Sequence, residues 1–251
     1  MNSIKNRMFR RYLYEEYSYL TKNFRKSSRF RLISVKFEPI IGVRAEPNGN
    51  LTFSAKVYII KKKASERTMN IVSILKKNPI IHAVSSADDF MKAANGKSDV
   101  IFLLKSEVSA LKKFVAYAHD RGKKIFIHID LADGLGKDEA AVEFIANFIK
   151  PDGIISTKYS LVRAAKELGL GTVYRVFLMD SQGVKTAMST VKKSDCDFVE
   201  IMPGIIYKEI AAFSSLGKNL IAGGLIETRN EVEAALNAGA IAVSTSSNAL
   251  T

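Results

Sequence analysis

The chain has 251 residues, of which 47% are hydrophobic, with a formal net charge of +13 and one cysteine. This length supports one full-sized core, and the lone Cys196 excludes an internal disulfide and a cysteine metal cluster. No stretch approaches the roughly 18 apolar residues of a membrane-spanning helix, and the basic N-terminus lacks a signal peptide's apolar segment. These features predict a protein of a reducing compartment, the cytoplasm.

The positive charge is concentrated in residues 1–68, which hold 16 Lys and Arg against 5 Asp and Glu, leaving a net +2 for residues 69–251. This segment holds five of the nine tyrosines, and its pattern predicts a helix at 8–20 and strands at 32–37 and 51–60. Three interpretations remain open: an RNA-binding arm, a disordered basic tail, or a segment foreign to a protein that starts at Met69. We therefore divide the chain into a basic extension, 1–68, and a ligand-binding domain, 69–251.

From residue 78 onward, short apolar runs alternate with helical patterns. The predicted strands are residues 80–84, 100–104, 124–129, 153–156, 172–178, 198–202, 220–222 and 240–244. Predicted helices between them include residues 108–121, 138–149, 161–168 and 183–192. Eight such units predict an α/β fold, a compact (β/α)8 TIM-barrel-like domain. An open doubly wound sheet is the weaker alternative, because no G-x-G-x-x-G follows the first strand.

The last thirty residues form a strand–Gly turn–helix–strand–polar turn unit. The seventh strand ends at Gly223-Gly224, and the eighth ends at Ser244-Thr245-Ser246. Loops after strands 7 and 8 of a barrel often bind phosphate, through free backbone N–H groups and hydroxyls. We predict that these five residues bind phosphate; the alternative is an ordinary glycine turn with a serine-rich helix cap.

Other polar residues stand near the carboxyl ends of the strands, where barrel function is found. Asp130 follows the third strand, and Glu200 interrupts the apolar sixth strand, where a charge needs a partner or a ligand. Arg175, in the fifth strand, is the structural alternative as that partner, while His128 is expected to be a hydrogen-bonded core histidine. The candidate ligand-binding residues are Asp130, Lys158, Arg175, Glu200 and Gly204.

No pattern for metal or nucleophilic chemistry occurs in the chain. The HxxxH and ExxH spacings are absent, so we expect no metal and no other cofactor. G-x-S-x-G and P-loop motifs are absent as well.

Residues 69–251 resemble the glycerol-3-phosphate-responsive antiterminator family, the regulators of glycerol uptake operons. The matching segments are VIFLL, KKIFIHIDLADGLGKDEAAVEF, PDGIISTK, AAKELGL, DFVEIMPG, IAGGLIET and AGAIAVSTS. The resemblance implies a small barrel that binds glycerol 3-phosphate and acts, without catalysis, on leader mRNA to prevent premature termination. The chain departs from the family pattern at IIHAVSS and at Lys105.

Two other functions remain open: a barrel enzyme acting on a small phosphorylated substrate, and a sensor acting through a protein partner. For RNA, two local basic groups are candidates, with solvated helix faces as the alternative. They are Lys112, Lys113, Arg121, Lys123 and Lys124, and Lys185, Lys192 and Lys193. The oligomeric state is not predicted.

Overall fold

The structure is a computed structural model that describes residues 53–251, with side chains described at residue 62 and from residue 64 onward. Eight parallel strands close into a barrel. They are β1 (Ile80–Val84), β2 (Val100–Leu103), β3 (Lys124–His128), β4 (Gly153–Ser156), β5 (Gly171–Phe177), β6 (Phe198–Met202), β7 (Asn219–Gly223) and β8 (Ala242–Thr245). Each strand pairs with its neighbours in chain order, and β8 closes the barrel on β1.

Eight α-helices accompany the strands in the described residues. They are α1 (Phe53–Lys77), α2 (Ala87–Asn95), α3 (Val108–Asp120), α4 (Glu139–Phe144), α5 (Tyr159–Glu167), α6 (Ser181–Lys193), α7 (Tyr207–Ser214) and α8 (Arg229–Asn237). A π-helical turn, Ile145–Ile149, extends α4. The predicted (β/α)8 barrel is confirmed, with strand ends within two residues of those expected.

The barrel interior is an apolar layer built from every strand. Its buried members include Phe102, Phe126 and Phe198, which pack together from β2, β3 and β6. Because side chains alternate along a strand, the residue two positions further on points into the same interior, closer to the carboxyl end. The remaining buried apolar side chains form two clusters between the strands and the outer helices.

Helix α1 closes the amino end of the barrel. Ala64, Ile71 and Leu75 are buried at helical spacing, and the last two join the interior layer. The prediction of a strand at 51–60 is wrong for residues 53–60, because the Val-Tyr-Ile-Ile run lies within a lysine- and alanine-rich stretch free of Gly and Pro. The helix crosses residues 68 and 69 without a break, whereas the predicted elements at 8–20 and 32–37 lie outside the described residues.

The predicted helix boundaries have identifiable causes. Ser86 caps α2 by accepting a hydrogen bond from the Asp89 N–H, and Gly122, Gly169 and Gly239 end helices with positive φ. No helix in residues 53–251 is long and apolar enough to cross a membrane.

Candidate functional site

A cavity of about 620 Å³ opens at the carboxyl end of the barrel. Its wall is formed by the ends of β1, β5, β6 and β8, by Leu104 after β2, and by the loop after β7. This is the end at which the βα loops of a barrel carry function. The volume is that of an ordinary small-molecule site.

A buried polar layer forms the floor of this cavity. Arg175, Glu200 and Ser244 each lie two residues beyond an interior apolar side chain, so they point into the barrel. Glu200 is fully buried; its Oε2 accepts a hydrogen bond from Arg175 Nε at 2.6 Å, and its Oε1 accepts one from Ser244 Oγ at 2.6 Å. The Arg175–Glu200 ion pair, given above as the structural alternative for these two residues, is therefore present at the cavity floor.

Two glycines make room for this layer. A Cβ at Gly223 would lie 2.5 Å from Glu200 Oε1 and 2.8 Å from Ser244 Oγ, so only glycine lets the strand pass beside the carboxylate. Gly224 has φ +77°, which favours glycine, and a Cβ there would meet Met202 Cε at 2.8 Å. The two predicted glycines therefore have different roles, close approach for the first and chain reversal for the second.

The last residues of β8 and the first residue after it supply hydroxyl groups to the cavity wall. Ser244, Thr245 and Ser246 line the cavity together with Gly224, as predicted for neighbouring loops. The Thr245 hydroxyl donates to the Ile226 carbonyl at 2.6 Å and accepts from the Ser247 N–H at 3.0 Å. Its oxygen thus joins the two loops, whereas Ser246 is exposed at the cavity wall.

Asp130 does not line the cavity. Strand β3 ends at His128, and Asp130 lies in a 3-10 turn, so the alternation assumed for the sequence stops before it. Its carboxylate accepts hydrogen bonds from Ser156 Oγ and from the N–H and hydroxyl of Thr157, which pins the loop after β4. A ligand contact by Asp130 stays a prediction that this geometry does not support.

His128 is buried in the barrel interior as expected, but the prediction that it is hydrogen-bonded is wrong for its Nδ1. Its Nδ1 lies 3.9 Å from Asp130 Oδ2 and has no hydrogen-bond partner among the described residues. The pKa of this imidazole is lowered to about 4. Burial is the main cause, and the positive charge of Arg175 adds to it by more than the negative charge of Asp130 offsets. The ring is therefore neutral at physiological pH.

The other two predicted ligand residues lie away from the cavity wall. Lys158 is exposed at the start of α5 and does not line the cavity. Gly204 donates its N–H to the Gly224 carbonyl at 3.0 Å, and a Cβ there would lie 2.8 Å from the Gly223 nitrogen. Gly204 therefore packs against the Gly223-Gly224 turn from the side away from the cavity.

The sequence-based analysis missed the apolar part of the wall, which includes Ala83, Leu104, Met202 and Leu225. Three of these stand two residues beyond an interior side chain, so strand alternation would have identified them. Leu225 is different: it has φ +61° and an exposed side chain, and its sequence neighbours carry no signal for that conformation. In the described residues no group of three or more His, Cys, Asp or Glu side chains is placed to hold a metal ion.

Known proteins match most of the chain. The family profile described as "Glycerol-3-phosphate responsive antiterminator" matches residues 80–251. Uncharacterized protein YgcP of Escherichia coli (strain K12) is 32% identical over 178 residues, covering 70% of this chain and 93% of that protein.

Two crystal structures share this barrel at similar identity. The glycerol uptake operon antiterminator regulatory protein from Listeria monocytogenes is 35% identical, with a TM-score of 0.66 over 68% of this chain and 93% of that one. A glycerol uptake operon antiterminator-related protein from Thermotoga maritima is 34% identical, with a TM-score of 0.61 over 68% and 96%. The chain belongs to the glycerol-3-phosphate responsive antiterminator family.

Proposed function

We propose that this protein is a cytoplasmic regulator that binds glycerol 3-phosphate in the barrel cavity and acts on leader mRNA to prevent premature transcription termination. The observation that carries the proposal is the joint position of three features in one cavity: Gly224 in the turn after β7, the hydroxyl residues Ser244–Ser246 at the end of β8, and the buried Arg175–Glu200 pair. Family membership supplies the regulatory context.

The cavity offers a different partner to each end of such a ligand. The phosphate would lie against the backbone N–H groups after Gly223 and against the hydroxyl of Ser246, since the Ser244 hydroxyl already donates to Glu200. The glycerol hydroxyls would reach the floor, where Glu200 accepts and Arg175 donates hydrogen bonds. Burial strengthens these polar contacts, because water does not compete for them.

The same residues favour binding over catalysis. No lysine lines the cavity in the part of the chain that the structure describes, so a Schiff base has no amine there. Both Glu200 oxygens already accept hydrogen bonds, from Arg175 and Ser244, which makes this carboxylate a poor general base, and the other carboxylate of the wall, Glu227, is exposed to solvent. Turnover of triose or pentose phosphates that Glu200→Gln abolishes would instead support the barrel enzyme.

Thermal unfolding with glycerol 3-phosphate, glycerol and inorganic phosphate in turn tests the ligand. At 100 times its dissociation constant, a ligand adds about 2.7 kcal/mol to the free energy of unfolding. We expect a clear shift with glycerol 3-phosphate and little or none with glycerol. Absence of any shift would contradict the proposal that the protein senses glycerol 3-phosphate, but it would not contradict the barrel fold.

Two variants separate the phosphate end from the glycerol end. Gly224→Val should remove the shifts with both glycerol 3-phosphate and inorganic phosphate, because the new side chain strains the turn and meets Met202. Glu200→Gln should weaken the shift with glycerol 3-phosphate alone, since it removes the charged acceptor at the floor and keeps the phosphate loops. Equal losses in both variants would contradict this division of the site.

Leader mRNA binding requires its own test, by fluorescence anisotropy with and without glycerol 3-phosphate. We expect the ligand to tighten RNA binding by the full chain. A ligand-induced thermal shift without any RNA binding would point to the alternative sensor that acts through a protein partner.

A further inference from the structure

Charged side chains are segregated along the barrel axis. The first turns of the outer helices, at the carboxyl end of the barrel, hold five acidic residues, Asp88, Asp89, Glu139, Glu209 and Glu231, and two basic ones, Lys208 and Arg229. The last helical turns, at the amino end, hold Lys76, Lys77, Lys92, Lys166, Lys192 and Lys193. The ligand cavity opens at the acidic end.

The connecting segments repeat this division. At the amino end they hold five basic residues, Lys97, Arg121, Lys123, Lys150 and Lys218, and four acidic ones, Asp99, Asp152, Asp195 and Asp197, while Lys124 begins β3. At the carboxyl end they hold three lysines, Lys105, Lys137 and Lys158, together with Glu107, Asp130, Asp133, Asp138, Asp180 and Glu227. The helix dipole favours acidic residues in first turns and basic residues in last turns, which explains the charges in the helices. It does not explain the charges in the connecting segments, because these lie outside the helices.

Acidic residues at the amino end are mostly engaged in the fold. Asp152 is buried and accepts hydrogen bonds from Lys124 and from the Ile125 N–H. Asp197 is buried too and accepts from Lys166 and from Thr172. The exposed acidic side chains of this end are Glu66, Asp120, Glu167 and Asp195, while Asp99 is half-buried and accepts a hydrogen bond from Asn78.

Many cations of this end keep their charge uncompensated. Lys76, Lys77, Lys97, Lys192 and Lys193 are exposed, and none makes an ion pair with a described residue. Lys123 and Lys218 donate to backbone carbonyls, which satisfies their N–H groups without neutralising them.

We propose that the amino end of the barrel, opposite the ligand cavity, is the surface that binds RNA. Phosphate contacts from lysine and arginine supply most of the electrostatic affinity for nucleic acid, and the acidic rim of the cavity would repel the same backbone. The inference rests on the proposed function, because that function supplies RNA as the negatively charged partner.

This surface includes only part of the second basic group predicted from the sequence. Lys192 and Lys193 belong to the surface, whereas Lys185 does not.

The test compares two sets of three charge reversals in the full chain. The first is Lys77→Glu, Lys192→Glu and Lys193→Glu at the amino end. The matched control is Lys137→Glu, Lys185→Glu and Lys208→Glu, which are exposed, lie nearer the carboxyl end and give the same net charge. Binding of a fluorescently labelled single-stranded RNA is measured against salt, and a Lys→Gln version of each set guards against destabilised helix ends.

We expect the amino-end set to weaken RNA binding by about tenfold or more and to lower the salt slope by about 2, since each lost phosphate contact contributes roughly 0.7 for single strands. The control set should change the affinity less than about twofold. Both sets should retain the thermal shift with glycerol 3-phosphate.

Equal losses in the two sets, or no loss in the amino-end set, would overturn this surface while leaving the proposed function in place. Failure of the unaltered full chain to bind RNA at low salt, with and without glycerol 3-phosphate, would overturn both the surface and the RNA part of the proposed function. The thermal shift would then decide the sensor part separately.

Discussion

Glu200 is a carboxylate without solvent exposure, and its two oxygens have different partners. One accepts from a guanidinium and the other from a hydroxyl, while Gly223 leaves the space that both oxygens occupy. Burying a charge is costly unless it is paired and hydrogen-bonded. The fold therefore tolerates this buried carboxylate because Arg175 compensates its charge inside the barrel.

Removing the guanidinium should destabilise the fold strongly. We expect Arg175→Met to lower the free energy of unfolding by about 3–5 kcal/mol, because it leaves an uncompensated buried carboxylate. The double variant Arg175→Met/Glu200→Leu should recover most of that loss, since it removes both charges. Urea unfolding of the single and double variants measures the difference. A double variant as unstable as the single one would show that the ion pair itself is not the cause.

His128 should make stability depend on pH. Its pKa is about 4 in the folded protein against 6.5 for an exposed histidine, so the unfolded chain binds more protons between these values. The stabilisation is complete above pH 6.5 and is lost as the pH falls towards 4. We expect a loss of about 2 kcal/mol between pH 7 and pH 5 from this residue.

Urea unfolding across that range, with His128→Gln as the comparison, isolates the contribution. The variant should have a flatter profile than the parent, although burial also lowers the pKa of His82 and leaves a residual slope. Asp130 and Arg175, the charged neighbours of His128, are unchanged in both proteins. Superimposable profiles would contradict a buried neutral His128.

At the scale of elements, α1 is anchored by residues on both sides of position 69. Ile71 and Leu75 pack under the barrel, while Arg67 donates to the Gly169 carbonyl and Thr68 Oγ1 donates to Asp197 Oδ1 at 2.6 Å. Asp197 is buried at the start of β6, so the hydrogen bond from Thr68 joins α1 to the wall of the barrel. The helix thus closes the amino end.

Loss of that anchor should be measurable without removing the helix. We expect Thr68→Val to lower the free energy of unfolding by about 1.5 kcal/mol, the scale of a hydrogen bond to a charged group. Ser73→Ala, at an exposed position of the same helix, should stay within about 0.5 kcal/mol of the parent. Thermal or urea unfolding compares the three proteins, and equal stability of all of them would argue against a docked α1.

At the scale of the whole molecule, the two proposed ligands should respond differently to salt. The cavity holds one cation, Arg175, which is already paired, so phosphate would be bound mainly by N–H groups and hydroxyls. Between about 50 and 200 mM salt we expect RNA affinity to fall about 50-fold if four phosphates of a single strand are contacted. Glycerol 3-phosphate affinity should change only about twofold, because buried contacts are screened little.

Isothermal titration at the two salt concentrations measures the small ligand, and anisotropy measures the RNA. A salt dependence of glycerol 3-phosphate binding as steep as that of RNA would contradict a phosphate site built from backbone and hydroxyl groups. It would indicate surface lysines as the phosphate ligands instead.

Most of the fold was predictable from local pattern. Apolar runs of four to seven residues, separated by helical periodicity and by glycines such as Gly122 and Gly169, predicted all eight strands. The strand expected at 51–60 was wrong, because an apolar β-branched run has the same local appearance in a strand and in a helix that packs on a core. Only the burial of Ala64, Ile71 and Leu75 at helical spacing settles that ambiguity.

The candidate site was predictable in part. The Gly223-Gly224 turn, the Ser244–Ser246 loop and the Arg175–Glu200 pair follow from strand ends and alternation, and the structure brings them into one cavity. Asp130 and Lys158 satisfy the same sequence criteria but do not line that cavity. Alternation ends with the strand, so it carries no information about residues one or two positions beyond it.

The sequence by itself determined the eightfold alternation, the family, and the residue types available at the carboxyl ends of the strands. It did so because strand and helix periodicities and glycine turns are local properties of the chain. Only the tertiary structure decided that both Glu200 oxygens accept hydrogen bonds from Arg175 and Ser244 and that Asp130 holds the loop after β4. It also decided that lysines without ion-pair partners among the described residues lie at the end opposite the cavity. Those outcomes depend on which side chains meet across the closed barrel, and residues far apart along the chain determine that.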